Sequence, residues 1–172
     1  MSVTTQSWKK LFLFCLGLFI ASAFCMKWME SDLWCYGKKF TIIGLELEYD
    51  HRQMINIFTG IDAPVRQTLF YHLSFDFIFM AGAYPGIASL CMIARDKTRS
   101  TTVKKILFAL AAAQLLAWTA DIIENLYLLS WMDDTSSLAG RLLMFHVIVI
   151  FKWLIALTGA VFALLFVFRG RK

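Results

Sequence analysis

The chain has 172 residues, of which 59% are hydrophobic and 17% are charged, and its formal net charge is +5. Soluble domains are usually about 45–50% apolar and about 25% charged. A soluble fold of this length could not bury the excess of apolar side chains, so the composition excludes an ordinary soluble domain. The length itself fits one domain.

Four apolar runs account for the excess, at about residues 11–28, 69–94, 106–132 and 142–168. Each approaches or exceeds the ~20 residues that a helix needs to cross a hydrocarbon layer of ~30 Å. We therefore predict an all-α membrane protein, an antiparallel bundle of four transmembrane helices that forms a single integral membrane domain over residues 1–172.

The first run has a second interpretation. Lys9 and Lys10 precede it, and Ala21-Ser22-Ala23 fits the cleavage pattern of a secretory signal peptide. A removed signal peptide and a retained span are both consistent with these residues, and we expect a retained span.

Basic residues cluster beside the apolar runs. The three groups are Lys9 and Lys10, then Arg95, Lys97, Arg99, Lys104 and Lys105, then Arg169, Arg171 and Lys172. The link between the third and fourth runs begins with Asp133-Asp134 and has Arg141 as its only basic residue. The positive-inside rule then predicts cytoplasmic termini and a cytoplasmic 95–105 link, with residues 29–68 and 133–141 outside. Because the charge has this explanation, we expect no nucleic-acid partner.

Residues 29–68 are predicted to form an outer cap. "GLELEY" alternates Leu45, Leu47 and Tyr49 with acidic residues, which predicts a strand, and "MINIF" at 54–58 would be its partner in a β-hairpin or a short interfacial helix. An isolated hairpin is marginal in water, so we expect the cap to lie across the outer mouth of the bundle. Asp62 and Pro64 are typical of a helix start.

Four cysteines do not indicate a disulfide framework. Cys15 and Cys91 lie within predicted spans, where a thiol is usually a small buried apolar group. Cys25 and Cys35 flank the outer end of the first run and could pair in an oxidising compartment. The sequence leaves that pairing open.

Seven of the polar residues within the predicted spans form the candidate site. They are His72, Asp76, Asp121, Glu124, Asn125, His146 and Lys152. Counted at ~1.5 Å per residue along each helix, all of them fall in the outer half of the bundle. An ionised group at the bilayer centre costs about 2.5–3.5 kcal/mol, so we expect these groups to face inward.

The expected pairs join Lys152 to Asp121 and Glu124, with Asp76 nearby. Three carboxylates then face one ammonium group, so one or more charges must be neutralised in another way. The candidates are a carboxyl that keeps its proton, a charged His72 or His146, Arg141, Lys38 or Lys39, and a bound cation.

Three functions remain open for this cluster, and we favour the two that are not enzymatic. It could be a structural ion-pair network that fixes helix register, a site for a small polar or cationic ligand, or the centre of a membrane-embedded enzyme in which acids and histidines act as acid/base groups or zinc ligands. No dedicated metal-binding motif is present, so we predict no metal and no cofactor. The predicted partners are membrane lipid, a small molecule or cation, and either further copies of the chain or a larger membrane complex in which it is an accessory subunit.

Several of these residues fall in short motifs. They are Leu45-Glu46-Leu47-Glu48, Asp76-Phe77-Ile78-Phe79 with Tyr84, Asp121-Ile122-Ile123-Glu124-Asn125, and Lys152. Together they resemble a group of small four-span membrane proteins, mostly bacterial, over about residues 42–157, with the first run largely unmatched. The resemblance implies the fold, the polar set and a bacterial inner membrane, but no activity.

Overall fold

The computed structural model describes the backbone of residues 3–169 and the side chains of residues 5–168. The elements are α1 (Val3–Met29), a 3-10 turn (Glu30–Asp32), β1 (Trp34–Cys35), β2 (Lys38–Lys39), α2 (Ile42–Glu46), α3 (His51–Gly60), α4 (Ala63–Lys97), α5 (Thr101–Asp133) and α6 (Leu138–Arg169). In this part of the chain four helices, α1, α4, α5 and α6, are long and apolar enough to cross a membrane. Each contains one predicted span, which confirms the all-α bundle and supports an integral membrane protein.

Helix α4 is the centre of the bundle. It packs against α1, α5 and α6, and α5 also packs against α6, whereas α1 packs principally along α4. Residues 98–100 and 134–137 are the only links between α4 and α5 and between α5 and α6, so consecutive helices run antiparallel. We call the end with Lys9, Arg95, Lys97 and Lys104 the basic end, and the end covered by residues 30–61 the capped end.

A glycine permits the close approach of α1 to α4. A Cβ atom at Gly82 would lie 2.6 Å from the backbone nitrogen of Phe19 and 2.9 Å from the carbonyl oxygen of Cys15. At Gly86, one turn further, it would lie 3.3 Å from the Cys15 Cβ. Small residues commonly allow such contacts between helices in lipid, and at Gly82 no larger residue fits without moving α1.

The predicted strand at residues 45–49 is wrong. This segment continues from α2, whose first turn is capped by the Thr41 hydroxyl accepting from the Gly44 amide at 3.0 Å. The buried residues of α2 are Ile42, Leu45 and Glu46, at i, i+3 and i+4, which is a helical face. Leu47, which the alternation placed on the covered face, is 54% exposed. The helical spacing that begins at Ile42 therefore overrides the shorter alternation.

A β-hairpin does occur in the cap, but earlier in the chain. Trp34 pairs with Lys39 and Cys35 with Lys38. Tyr36 and Gly37 form the turn with φ angles of 48° and 74°, the left-handed conformation that two-residue hairpin turns favour.

The remaining helix starts in this region have side-chain caps. Asp50 accepts from the Arg52 amide at 2.9 Å and begins α3, which includes residues 54–58, so the helical alternative for "MINIF" is the correct one. Asp62 accepts from the Val65 amide at 3.0 Å, and Pro64 lies in the first turn of α4. This confirms the predicted start of the second long helix.

The cap and the capped end of the bundle share one apolar core. From the cap it contains Leu33, Cys35, Ile42, Leu45, Met54, Phe58 and Ile61, and from the long helices Leu69, Leu73, Leu128, Trp131, Met132, Leu138, Leu142, Phe145 and Val149. Arg66 adds a polar link by donating to the carbonyl oxygens of Met132 and Phe58. The cap therefore lies across this end of the bundle, as expected.

Candidate functional site

Lys152 is the centre of a buried ion-pair cluster. Its Nζ lies 2.7 Å from Asp121 Oδ1, 2.7 Å from Glu124 Oε2 and 3.5 Å from Glu46 Oε2. All four residues are buried. The predicted pairing of Lys152 with Asp121 and Glu124 is confirmed, because their i, i+3 spacing places both carboxylates on the face of α5 that meets α6.

The contact with Glu124 is an ion pair without hydrogen-bond geometry. Glu124 is 0% exposed, and neither of its oxygens has a hydrogen-bond partner among residues 5–168, although Oε2 is 2.7 Å from Lys152 Nζ. Lys152 donates its hydrogen bond to Asp121 instead. Glu124 therefore relies on charge attraction at close range.

Three members of this cluster were missing from the candidate site. Glu46, from α2, accepts from Trp153 Nε1 at 3.2 Å, and Tyr84, from α4, donates to Asp121 Oδ2 at 2.7 Å. Glu46 appears in the motifs of the family resemblance, and its helical spacing with Ile42 is the other signal that it is buried. Tyr84 was present in the family resemblance alone. We define the Lys152 network as Glu46, Tyr84, Asp121, Glu124, Lys152 and Trp153.

Asp76 lies outside this network. Asn125 Nδ2 donates to Asp76 Oδ2 at 2.6 Å and lies 3.5 Å from the carbonyl oxygen of Leu73. Among the described side chains Asp76 forms no ion pair, so the expected contact with Lys152 is replaced by the Asn125 amide. An amide binds the carboxylate but does not neutralise its charge.

The two intramembrane histidines occupy different places. His72 is one helical turn before Asp76 on α4 and is 2% exposed, and its Nδ1 has no hydrogen-bond partner in the described part of the chain. His146 stacks on Tyr49 of the cap with ring centroids 4.0 Å apart and contacts Phe145. We call His72 and Asp76 the cavity pair, because both line a cavity in the bundle.

Other candidate groups do not join the cluster. Arg141, Lys38 and Lys39 are exposed, and none of them pairs with the buried carboxylates. Within residues 5–168 no group of three or more His, Cys, Asp or Glu side chains is arranged to hold a metal ion. Cys25 and Cys35 are free thiols, and burial raises the pKa of Cys35.

The formal charges of the site do not balance. Glu46, Asp76, Asp121 and Glu124 carry four negative charges when ionised, and Lys152 carries one positive charge. The difference is three negative charges. Counting Glu46 makes the imbalance larger than the sequence alone indicated.

A cavity of about 400 Å³ adjoins these residues, between α1, α2, α4 and α6. Its polar lining comprises Glu46, His72, Asp76, Tyr84, Asp121 and Lys152, with Lys27 and Glu30 paired at 2.6 Å beside them. The rest of the lining is apolar and includes Phe19, Ala23, Met26, Phe79, Ala83, Ile87, Trp153, Ala156, Leu157 and Ala160. The volume is within the range of roughly 300–1,000 Å³ that is typical of small-molecule sites.

The chain matches no protein-family model, no curated protein and no solved structure. Its four apolar helices support an integral membrane protein, and its interior contains a buried Lys–Glu–Asp ion-pair cluster. The function is therefore inferred from the geometry of this site.

Proposed function

We propose that this chain is an integral membrane protein that binds a small polar or cationic ligand in the cavity beside its polar cluster. One observation carries the proposal: a cavity of about 400 Å³ shares its wall with an excess of carboxylates. Three of the acids, Glu46, Asp76 and Asp121, line the cavity directly.

Electrostatics favour a cation as the occupant. A buried carboxylate without a counter-charge is costly, and at membrane depth the cost is several kcal/mol. Lys152 is already in contact with three acids, which leaves Asp76 with an amide partner only. A cation in the cavity would offset the charge of Asp76 without disturbing the contacts of Lys152.

A structural role for part of the cluster is supported by a different observation. Lys152 on α6 contacts carboxylates from both α2 and α5, and Tyr84 on α4 donates to Asp121, so the Lys152 network links four helices. Such a network stabilises one helix register, because separating its members would leave buried charges unpaired. The two roles are assigned to different residues: the Lys152 network stabilises the fold, although several of its members also line the cavity, and the cavity pair binds the ligand.

The proposed setting is the inner membrane of a bacterium, with both termini in the cytoplasm. The clustering of Lys and Arg at the basic end supports this orientation. The resemblance to mostly bacterial four-span proteins supports a location in the bacterial inner membrane. Reporter fusions test the orientation. We expect a fusion after Lys172 to be active only as a cytoplasmic reporter and an insertion after Asp134 only as a periplasmic one; the reverse pattern would contradict it.

Ligand binding is tested by stabilisation of the purified protein in lipid nanodiscs. Thermal unfolding is followed during titration with ethylammonium, choline and octylammonium. A ligand that binds only the folded state stabilises it by about 2.7 kcal/mol at 100 times its Kd. We expect at least one cation to raise the Tm saturably.

Two substitutions that fill the cavity are the controls, Ala83→Phe on α4 and Ala156→Phe on α6. We expect the rise in Tm to disappear in both. If no cation stabilises the wild type, or if both folded variants respond as the wild type does, the proposed binding site is wrong.

A further inference from the structure

We propose that the ligand is an amphipathic amine, with a protonated amino group bound by Asp76 and His72 and an apolar body that lies along the cavity toward the basic end. This inference rests on the proposed function and specifies the chemical class of the ligand. It also specifies how the ligand enters: the ligand moves from the hydrocarbon layer into the cavity between α1 and α6.

The lining of the cavity changes from mainly polar to mainly apolar toward the basic end on α1, α4 and α6. On α4, Asp76 is followed toward the basic end by Phe79, Ala83, Tyr84 and Ile87, of which only Tyr84 is polar, and its hydroxyl donates to Asp121. On α6, Lys152 is followed by Ala156 and Ala160. On α1, which runs the opposite way, Lys27 is nearest the capped end and is followed by Met26, Ala23 and Phe19. From Lys152 to Ala160 the helix rises ~12 Å. A ligand that matches this surface has one polar end and an apolar body.

The polar end of the cavity is suited to an ammonium group. Asn125 binds Oδ2 of Asp76, and Oδ1 of Asp76 has no partner among the described side chains. His72 lies four residues earlier on the same face of α4, and its Nδ1 is buried and unpartnered. An ammonium group has several N–H donors, so one ion can bind Oδ1 and, when His72 carries its proton on Nε2, Nδ1 as well.

Anionic and neutral head groups fit less well. An anion would meet Glu46, Asp76 and Asp121, whose charges exceed that of Lys152. A neutral hydroxyl could bind Asp76 but would leave its charge uncompensated. Aromatic rings also line the cavity, with Phe19 and Phe79 centroids 4.8 Å apart, and aromatic faces attract ammonium ions.

The cavity is accessible from the flank of the bundle. Residues Ile42, Ile43 and Glu46 of α2 line it from the capped end. Helix α1 packs principally along α4 and leaves the side facing α6 less covered. There the lining residues Trp153 and Leu157 are 39% and 55% exposed. In a membrane this flank faces acyl chains, so an amphipathic amine already in the bilayer can enter sideways.

The test compares octylammonium, ethylammonium and octanol as ligands of the full-length protein in nanodiscs, with the Tm as the readout. We expect octylammonium to bind at least 10-fold more tightly than ethylammonium, and octanol to give no saturable shift. Asp76→Asn removes the charge and keeps the shape. A hydrogen bond to a charged group contributes about 1.5–3 kcal/mol, so we expect it to weaken octylammonium binding about 10- to 150-fold.

Two further variants make the result specific. Asp133→Asn alters an exposed carboxylate at the end of α5 and is expected to leave the Kd within about twofold, because Asp133 does not line the cavity. Ala160→Trp blocks the apolar part of the cavity and is expected to abolish binding of octylammonium while ethylammonium still binds.

The possible failures are distinguishable. Equal affinity for ethylammonium and octylammonium would overturn the amphipathic ligand and leave a site for a small cation, so the proposed function would survive. Saturable binding of octanol, or unchanged binding of octylammonium by Asp76→Asn, would overturn the role of Asp76. If no ammonium compound binds, the proposed function fails as well.

Discussion

Asp76 and Asp121 project into the same bundle from neighbouring helices, yet their surroundings are opposite. Asp121 accepts hydrogen bonds from both Lys152 and Tyr84 and is 3% exposed. Asp76 is half-buried and, among the described side chains, has only Asn125 as a partner, although both acids line the cavity. This difference is the basis of the proposed division, in which Asp121 stabilises the fold and Asp76 binds the ligand. Substitutions at the two sites should therefore have opposite effects.

The largest effect is expected for Lys152→Met. This change removes the only cation among the described side chains that contacts Glu46, Asp121 and Glu124, and it leaves their charges buried. Removing one partner of a buried ion pair costs about 3–5 kcal/mol. Reversible unfolding in mixed micelles should show a loss of this size in the free energy of unfolding, and a loss of less than about 1 kcal/mol would contradict a structural Lys152 network.

The next effect concerns the α1 wall of the cavity. Gly82→Ala places a methyl group 2.6 Å from the Phe19 nitrogen, so α1 must move, whereas Gly86→Ala meets only the Cys15 Cβ at 3.3 Å. Overpacking costs typically about 1–3 kcal/mol. We expect Gly82→Ala to lower the free energy of unfolding by that amount and Gly86→Ala to change it by less than half as much. Equal losses would show that Gly82 does not determine the approach of α1.

A smaller change in stability is expected for Asp76→Asn. The substitution removes a charge that has no cationic partner and retains a side chain able to bond Asn125. We expect the free energy of unfolding to rise slightly rather than fall, because removing the uncompensated charge offsets any loss in the hydrogen bond to Asn125, which is worth about 1 kcal/mol. The two variants are measured in the same experiment. If Asp76→Asn lowers the free energy of unfolding as much as Lys152→Met does, Asp76 belongs to the structural network and the two sites are not distinct.

The smallest effect is expected outside the bundle, in the link between α5 and α6. Ser136 donates its amide and hydroxyl to Asp134 at 2.8 and 2.6 Å, and these bonds lower the pKa of Asp134 below its ordinary 3.8. The stability from Asp134 is therefore present above pH 3.8 and is lost as the pH falls through the lowered pKa. We expect the small Tm difference between wild type and Asp134→Ala to be constant from pH 7 to about 5 and to vanish in stronger acid. A difference that grows on acidification would contradict the direction of the shift.

The sequence predicted most of the fold because its signals are local. Apolar runs of sufficient length define the four long helices, and Asp62 with Pro64 marks the start of α4. The pairing of Lys152 with Asp121 and Glu124 was also predictable, because helical spacing and matched depth leave few other partners for a buried lysine. In the cap, residues 42–49 fit both the alternation of a strand and the spacing of a helix. The helix forms because it buries its apolar face against the bundle.

The rest of the site depends on tertiary geometry. The depth of a residue along its helix does not specify how that helix is rotated about its axis. This rotation decides that Asp76 contacts Asn125 rather than Lys152. Glu46 enters the cluster because the cap places it beside Lys152 and Trp153 of α6, a placement that no spacing in the sequence encodes. The cavity itself results from α1 packing along α4, an arrangement of whole helices.

The most direct test of the division between Asp76 and the Lys152 network is an experimental structure in lipid with 8-bromooctylammonium, whose bromine can be located by anomalous scattering. We predict that the amine nitrogen lies ~2.7–2.9 Å from the Asp76 carboxylate, with the bromine beside Ala160 and the contacts of Lys152 unchanged. A ligand bound at the lipid-facing surface, or an Asp76 carboxylate paired with Lys152, would contradict it.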